Sequence, residues 1–162
     1  MLVFYYAKNS AAYAPHILLE DVEANYEAIK IDFVGGEQRS SSYLKINPKG
    51  RVPSLVTDQG ILTETPAILA YIAQTHPQRG LAPETPFEFA VAQAFNCYIA
   101  STVHVAHAHK HRGARWANDA VAHEHMRAKV HQNMTDCATV IEQHYLKGPW
   151  VLGDRYSMCD PY

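Results

Sequence analysis

The chain opens on Leu2-Val3-Phe4-Tyr5-Tyr6, a β-branched and aromatic run that predicts a strand, and Ala7-Lys8-Asn9-Ser10 predicts a loop after it. From Ala11 to Ala24 the apolar residues Ile17, Leu18 and Val22 recur at helical spacing, with Asn9 or Ser10 as the N-cap. Glu27 to Val34 alternates as a strand and stops at Gly35-Gly36. Ser40-Ser41-Ser42 and Tyr43 to Ile46 predict a short irregular helix. The turn signal Asn47-Pro48-Lys49-Gly50 then precedes an apolar strand, Val52 to Val56. A hairpin turn at Asp58-Gln59-Gly60 and a second strand, Ile61 to Thr63, come next, and a helix opens at Glu64-Thr65. This β-α-β-α-β-β-α order is that of a thioredoxin-like domain.

After the Pro/Gly-rich break from His76 to Glu84 no strand pattern returns, which predicts a thioredoxin-like domain over residues 1–78 and an all-helical domain over 85–162. Thr85-Pro86-Phe87-Glu88 combines a capping box with proline at the first helical position, so a long helix starts there and runs toward Arg112-Gly113. A second begins near Asn118 or Asp119 and stops at Lys147-Gly148-Pro149, and two such helices with a short link pack antiparallel. Ser157 to Asp160 is a further capping box with only Pro161 and Tyr162 beyond it, a helix start that predicts an incomplete helical domain.

Composition excludes several classes of function. With 14 basic and 16 acidic residues interspersed over 162, the net charge of −2 gives no footprint for nucleic acid or an anionic membrane. No apolar stretch approaches the ~18 residues of a membrane span, and Met1 runs directly into a strand, which together predict a cytoplasmic protein. Cys97, Cys137 and Cys159 are far apart and are expected as buried small apolar groups.

Candidate chemistry gathers between Asn47 and Ile68. A proline at a loop-to-strand entry, Pro53, is where a cis peptide is affordable, and a cis Val52-Pro53 bond exposes the Val52 N–H and C=O to an extended peptide ligand. Glu64-Thr65 opens a helix, whose free amides and positive dipole end hold carboxylates. His104, His107 and His111 share one helical face, a pattern open to transition-metal binding, but no carboxylate or cysteine stands at helical spacing to complete a site, so no metal is expected. His123, His125 and His131 read as solvated helix residues.

The run NPKGRVPSLVTDQGILTETPAILAYIAQTHP, with the Tyr-rich first strand, APHI and GDRYSMCDPY, resembles the cytosolic glutathione transferases over nearly the whole chain, most closely the bacterial beta type. Glu64-Thr65 stands where the family has Glu-Ser. The resemblance implies attack of a glutathione thiolate on a small hydrophobic electrophile, a detoxifying conjugation by a homodimer. Glutathione is then the co-substrate and no metal takes part. Val52 and Pro53 would hold the cysteinyl backbone, Glu64 and Thr65 the γ-glutamyl group, and Lys49 or Arg51 the glycyl carboxylate. The beta-type cysteine at the first helix is lacking: its place falls on Ala11 or Ser10. Ser10 is therefore the first candidate for thiol activation, with Tyr6 second and Tyr5 third. His104 matches the family's active-site histidine, whereas Val105 replaces the lysine that follows it. A non-catalytic module of the same fold that binds glutathione or a protein partner is the alternative.

Overall fold

The computed structural model describes residues 1–162. Its sheet has four strands in the order β2-β1-β3-β4: β1 (Leu2–Tyr6), β2 (Tyr26–Lys30), β3 (Ser54–Thr57) and β4 (Gly60–Thr63). β1 pairs parallel with β2, Leu2 opposite Tyr26, and antiparallel with β3, Phe4 opposite Leu55; β3 turns back into β4. A parallel neighbour needs a crossover, and α1 (Tyr13–Asp21) supplies it between β1 and β2. α2 (Ser41–Ile46) follows β2, and α3 (Thr65–Thr75) follows β4 and packs on α1. The N-terminal half is thus the thioredoxin-like arrangement that the pattern predicts.

The helical half comprises α4 (Pro86–Tyr98), a π-helical turn at Ile99–Val103, α5 (His104–Ala108) and α6 (Ala120–Val140), which ends in a second π turn at Ile141–Tyr145. Thr85 caps α4, accepting from the Glu88 amide at 3.2 Å, and Asp119 caps α6 through the amides of Val121 and Ala122. One cluster of 19 buried residues runs through both halves. Phe4, Leu18, Leu55, Ile68 and Leu69 are closed to solvent from the sheet side, and Ala92, Phe95, Ile99 and Met158 complete the cluster from the helical side. Each large aliphatic side chain fully buried this way contributes roughly 1.5–3 kcal/mol, so the helices form one wall of a shared core.

Several expectations need correction. α1 begins at Tyr13 with Ala12 in the N-cap position, so neither Asn9 nor Ser10 caps it; the Ser10 hydroxyl instead closes a turn one step earlier. β2 stops at Lys30, and Asp32 bends the chain by accepting from the Val34 amide. The helix expected to run from Thr85 to Gly113 ends at Ala108 and carries the π turn inside it. Cys97 is exposed, unlike Cys137 and Cys159. His123 is half-buried and bonds the Ala117 carbonyl at 2.7 Å, so it is not a solvated residue. The capping box at Ser157, by contrast, is formed: the Asp160 carboxylate accepts from the amides of Ser157 and Val151, and the Ser157 hydroxyl accepts from the Cys159 amide.

Candidate functional site

The Val52–Pro53 peptide is cis. The loop around it is fixed from below. Asn47, 1% exposed, donates to the Arg51 carbonyl at 2.7 Å and to Ser54 Oγ at 3.2 Å, while Tyr43 donates to the same carbonyl at 2.7 Å. Arg51 C=O is thereby doubly satisfied. Val52, the next residue, lies outside β3, and its N–H and C=O make no hydrogen bond within the protein. Backbone donors and acceptors in folded chains are nearly always paired. A free pair at the rim of a cleft is therefore an edge on which an extended ligand can bond.

Next to this edge is the mouth of α3. Its N-cap, Glu64, sits at φ 73° and ψ 123°, a conformation that costs a non-glycine residue free energy, and its side chain caps no amide. The carboxylate instead pairs with Lys49 at 2.5 Å, and Lys49 also donates to Thr63 Oγ1 at 2.6 Å. Buried Thr65 ties α3 to the start of α1 by donating to the Ala11 carbonyl at 3.4 Å. A cavity of about 100 Å³ joins these parts, lined by Val52, Pro53, Glu64, Thr65, His104 and Tyr162 among others. Burial pushes the Tyr162 phenol up, with the Thr65 hydroxyl opposing and Glu64 adding to the rise.

Two further cavities open from the same point. One, of about 230 Å³, lies between Ser10, Ala11 and Tyr13 on one side and the apolar residues Ile99, Val103 and Met134 on the other. The other, of about 340 Å³, brings Arg39, Arg51, Arg112 and Arg115 to a cleft floored by Ser10, Ala11 and Val52, with no acidic residue in its lining. Gly50 is required here: at φ 60° a Cβ would fall 2.8 Å from both the Gln38 carbonyl and an Arg39 guanidinium nitrogen. Ala11 and His104 border all three cavities.

His104 follows directly on the π turn, the kind of helix irregularity that re-aims a side chain into a site. Its Nε2 is 3.5 Å from Arg112 Nη1 and, since a guanidinium only donates, is the accepting nitrogen. Burial, then the charges of Arg112, His107, Arg115 and Arg51, hold its pKa below the usual histidine value, which favours the neutral ring. No set of three His, Cys, Asp or Glu side chains converges as metal ligands would. No helix is long and apolar enough to cross a membrane.

Of the residues singled out from the sequence, Ser10, Val52, Pro53, Glu64, Thr65 and His104 border these connected cavities. Lys49 touches them only through its ion pair with Glu64. Tyr6 is not brought in: it faces the opposite side of β1, its ring 5.0 Å from that of His16, in a separate cavity of about 490 Å³. Tyr5 packs on Tyr43 at 5.6 Å. Ser10 Oγ donates to the Ala7 carbonyl at 2.7 Å and accepts from the Ala12 amide at 3.3 Å, while the Ala11 amide makes no bond. Tyr162, Arg39 and Arg115 carried no local sequence signal, and Asn47 and Arg112 were legible only as part of a turn and as a helix end.

Residues 1–74 match the family described as glutathione S-transferase, N-terminal domain. A glutathione transferase homologue from Sulfitobacter, solved with bound glutathione, is 44% identical with a TM-score of 0.96, covering 100% of this chain and 78% of that one. The bacterial beta-class glutathione S-transferase of Sphingomonas chungbukensis superposes with a TM-score of 0.81 at 26% identity over 99% of this chain and 78% of its own. Among curated proteins, the maleylacetoacetate isomerase of Pseudomonas aeruginosa is 27% identical across 100% of this chain and 77% of its length.

Proposed function

This chain belongs to the glutathione S-transferase family, and on that footing we propose that it binds glutathione as co-substrate and adds the thiolate to small hydrophobic electrophiles. The observation that carries this reading is the unpaired main chain of Val52 beside the uncapped mouth of α3. The cysteinyl backbone of the tripeptide pairs with Val52 as an added strand would, with Pro53 holding the bend. The γ-glutamyl carboxylate sits on the amides at Thr65, and its ammonium takes the Glu64 carboxylate from Lys49. The glycyl carboxylate runs toward Arg51.

Placed this way, the sulfur lies over Ser10 and Ala11, where the three cavities meet. A thiol becomes a useful nucleophile when its thiolate is stabilised by donors in a site open on one side. The free Ala11 amide is one donor, and the Ser10 hydroxyl is the second once its proton turns from the Ala7 carbonyl to sulfur. A hydrogen bond to an anion is roughly twice as strong as a neutral one, which favours that turn. With a chloronitrobenzene, the thiol proton leaves to water, the C–S bond forms, and chloride departs with the electrons of the broken C–Cl bond. The apolar wall of Ile99, Val103 and Met134 receives the body of the electrophile. Calorimetry with glutathione, paired with turnover of 1-chloro-2,4-dinitrobenzene, tests the reading. No heat at millimolar glutathione would remove it, and binding without turnover would leave the chain a binding module.

A further inference from the structure

Four guanidinium groups, those of Arg39, Arg51, Arg112 and Arg115, converge on the largest of the three joined cavities, and none is paired with a carboxylate. They come from three separated segments: the turn after β2, the loop before β3 and the turn after α5. Their mutual proximity is visible in the electrostatics, since Arg115 is held below its ordinary pKa by burial and then by Arg51, Arg112 and Arg39. Unpaired like charges repel and cost stability, so a protein that gathers them has a site in want of an anion.

Glutathione cannot supply that anion by itself. Its γ-glutamyl carboxylate is engaged at α3, which leaves only the glycyl carboxylate for this side, and a bidentate guanidinium contact satisfies one carboxylate. Arg112 and Arg115, on the helical wall of the cleft, remain uncompensated. The same cleft carries the apolar faces of Phe33, Val105 and Trp116 and reaches Ser10 and Ala11 at its floor. We propose that Arg112 and Arg115 bind a carboxylate on the electrophile, so that the second substrate is a carboxylated hydrophobic molecule whose reactive carbon is carried toward the sulfur. This rests on the glutathione-conjugating reading above, and its test separates the two.

The experiment compares 4-chloro-3-nitrobenzoate with 4-chloro-3-nitrobenzamide, a pair alike in shape that differs in charge. Each kcat/KM is divided by the uncatalysed rate constant with glutathione. The wild-type protein is expected to favour the acid by about tenfold, a factor worth about 1.4 kcal/mol, and the preference should shrink as ionic strength rises. In Arg112→Gln/Arg115→Gln the ratio should fall to about one, whereas Arg115→Lys, which keeps the charge, should retain most of it. Equal use of acid and amide by the wild type overturns the proposal. So does a double variant that keeps the ratio but loses glutathione affinity, since the arginines would then serve the glycyl carboxylate. If neither compound turns over, the conjugating reading fails separately. Calorimetry of 3-nitrobenzoate against 3-nitrobenzamide, on protein saturated with S-methylglutathione, then decides the site: selective binding of the acid upholds it, and equal or absent binding removes it.

Discussion

The guanidinium of Arg112 lies 3.5 Å from Nε2 of His104, and after burial it is the strongest influence against protonation of the one histidine that borders all three cavities. Burial and the nearby cations depress its pKa below the usual value of about 6.5. A depressed folded-state pKa means that the unfolded chain takes its proton first as pH falls. The His104 contribution is therefore intact above about pH 6.5 and is lost on acidification through the folded-state value. Titration of the His104 ring by NMR should place its midpoint below the ordinary histidine value. Arg112→Gln should raise it, and so should a carboxylate bound in the arginine cleft. A midpoint that ignores both changes would contradict this electrostatic reading.

Asn47→Ala should loosen the ligand edge from beneath. The side chain is buried and holds the Arg51 carbonyl and the Ser54 hydroxyl, so its loss costs about 1–3 kcal/mol, seen as a lower urea midpoint with unchanged slope. Glutathione affinity should fall with it, because Val52 is no longer held in place.

Ser10→Ala addresses the sulfur. If the hydroxyl donates to the thiolate, removing it should raise the thiol pKa of bound glutathione by about one unit, a loss of about 1.4 kcal/mol, followed by ultraviolet absorbance of the thiolate against pH. An unchanged value would assign the task to the Ala11 amide alone.

Asp160→Ala should be among the more damaging changes outside the cleft. One carboxylate accepts from the Val151 amide at 2.8 Å, the Ser157 amide at 2.7 Å and the Ser157 hydroxyl at 3.0 Å. Stranding those donors should cost about 2–3 kcal/mol, measured by denaturant unfolding.

Thiol labelling should find one fast cysteine. Cys97 is exposed, whereas burial pushes the Cys159 thiol up to about 12 and its Sγ donates to the Ala92 carbonyl. Cys137 is also buried. Cys97→Ser should abolish the fast phase in native protein.

The fold was legible wherever a local pattern decides the outcome. β1, the β3–β4 hairpin, the start of α3 and the Thr85 cap follow from alternation, turn residues and capping chemistry, whereas the sequence offered two residues, Asn118 and Asp119, for the α6 cap and showed only that a cis bond is affordable at Pro53. Long-range assembly was not legible. Alternation along β1 puts Tyr6 on the face of Phe4, where His16 of α1 meets it, but only the packed helix reveals that this face lies away from the cleft. The π turn before His104 leaves no mark on apolar spacing. The arginine cleft draws on residues more than seventy positions apart, which no window along the chain can unite.

The ion pair between Lys49 and Glu64 has a bearing on selectivity at that corner. On the proposed binding mode an incoming amino group finds its seat already taken by a tethered lysine, so docking there is an exchange of one cation for another with no net gain in charge. A compound without an amine leaves that pair intact, so the lysine competes only with amines, and the corner favours them no further than the exchange itself does.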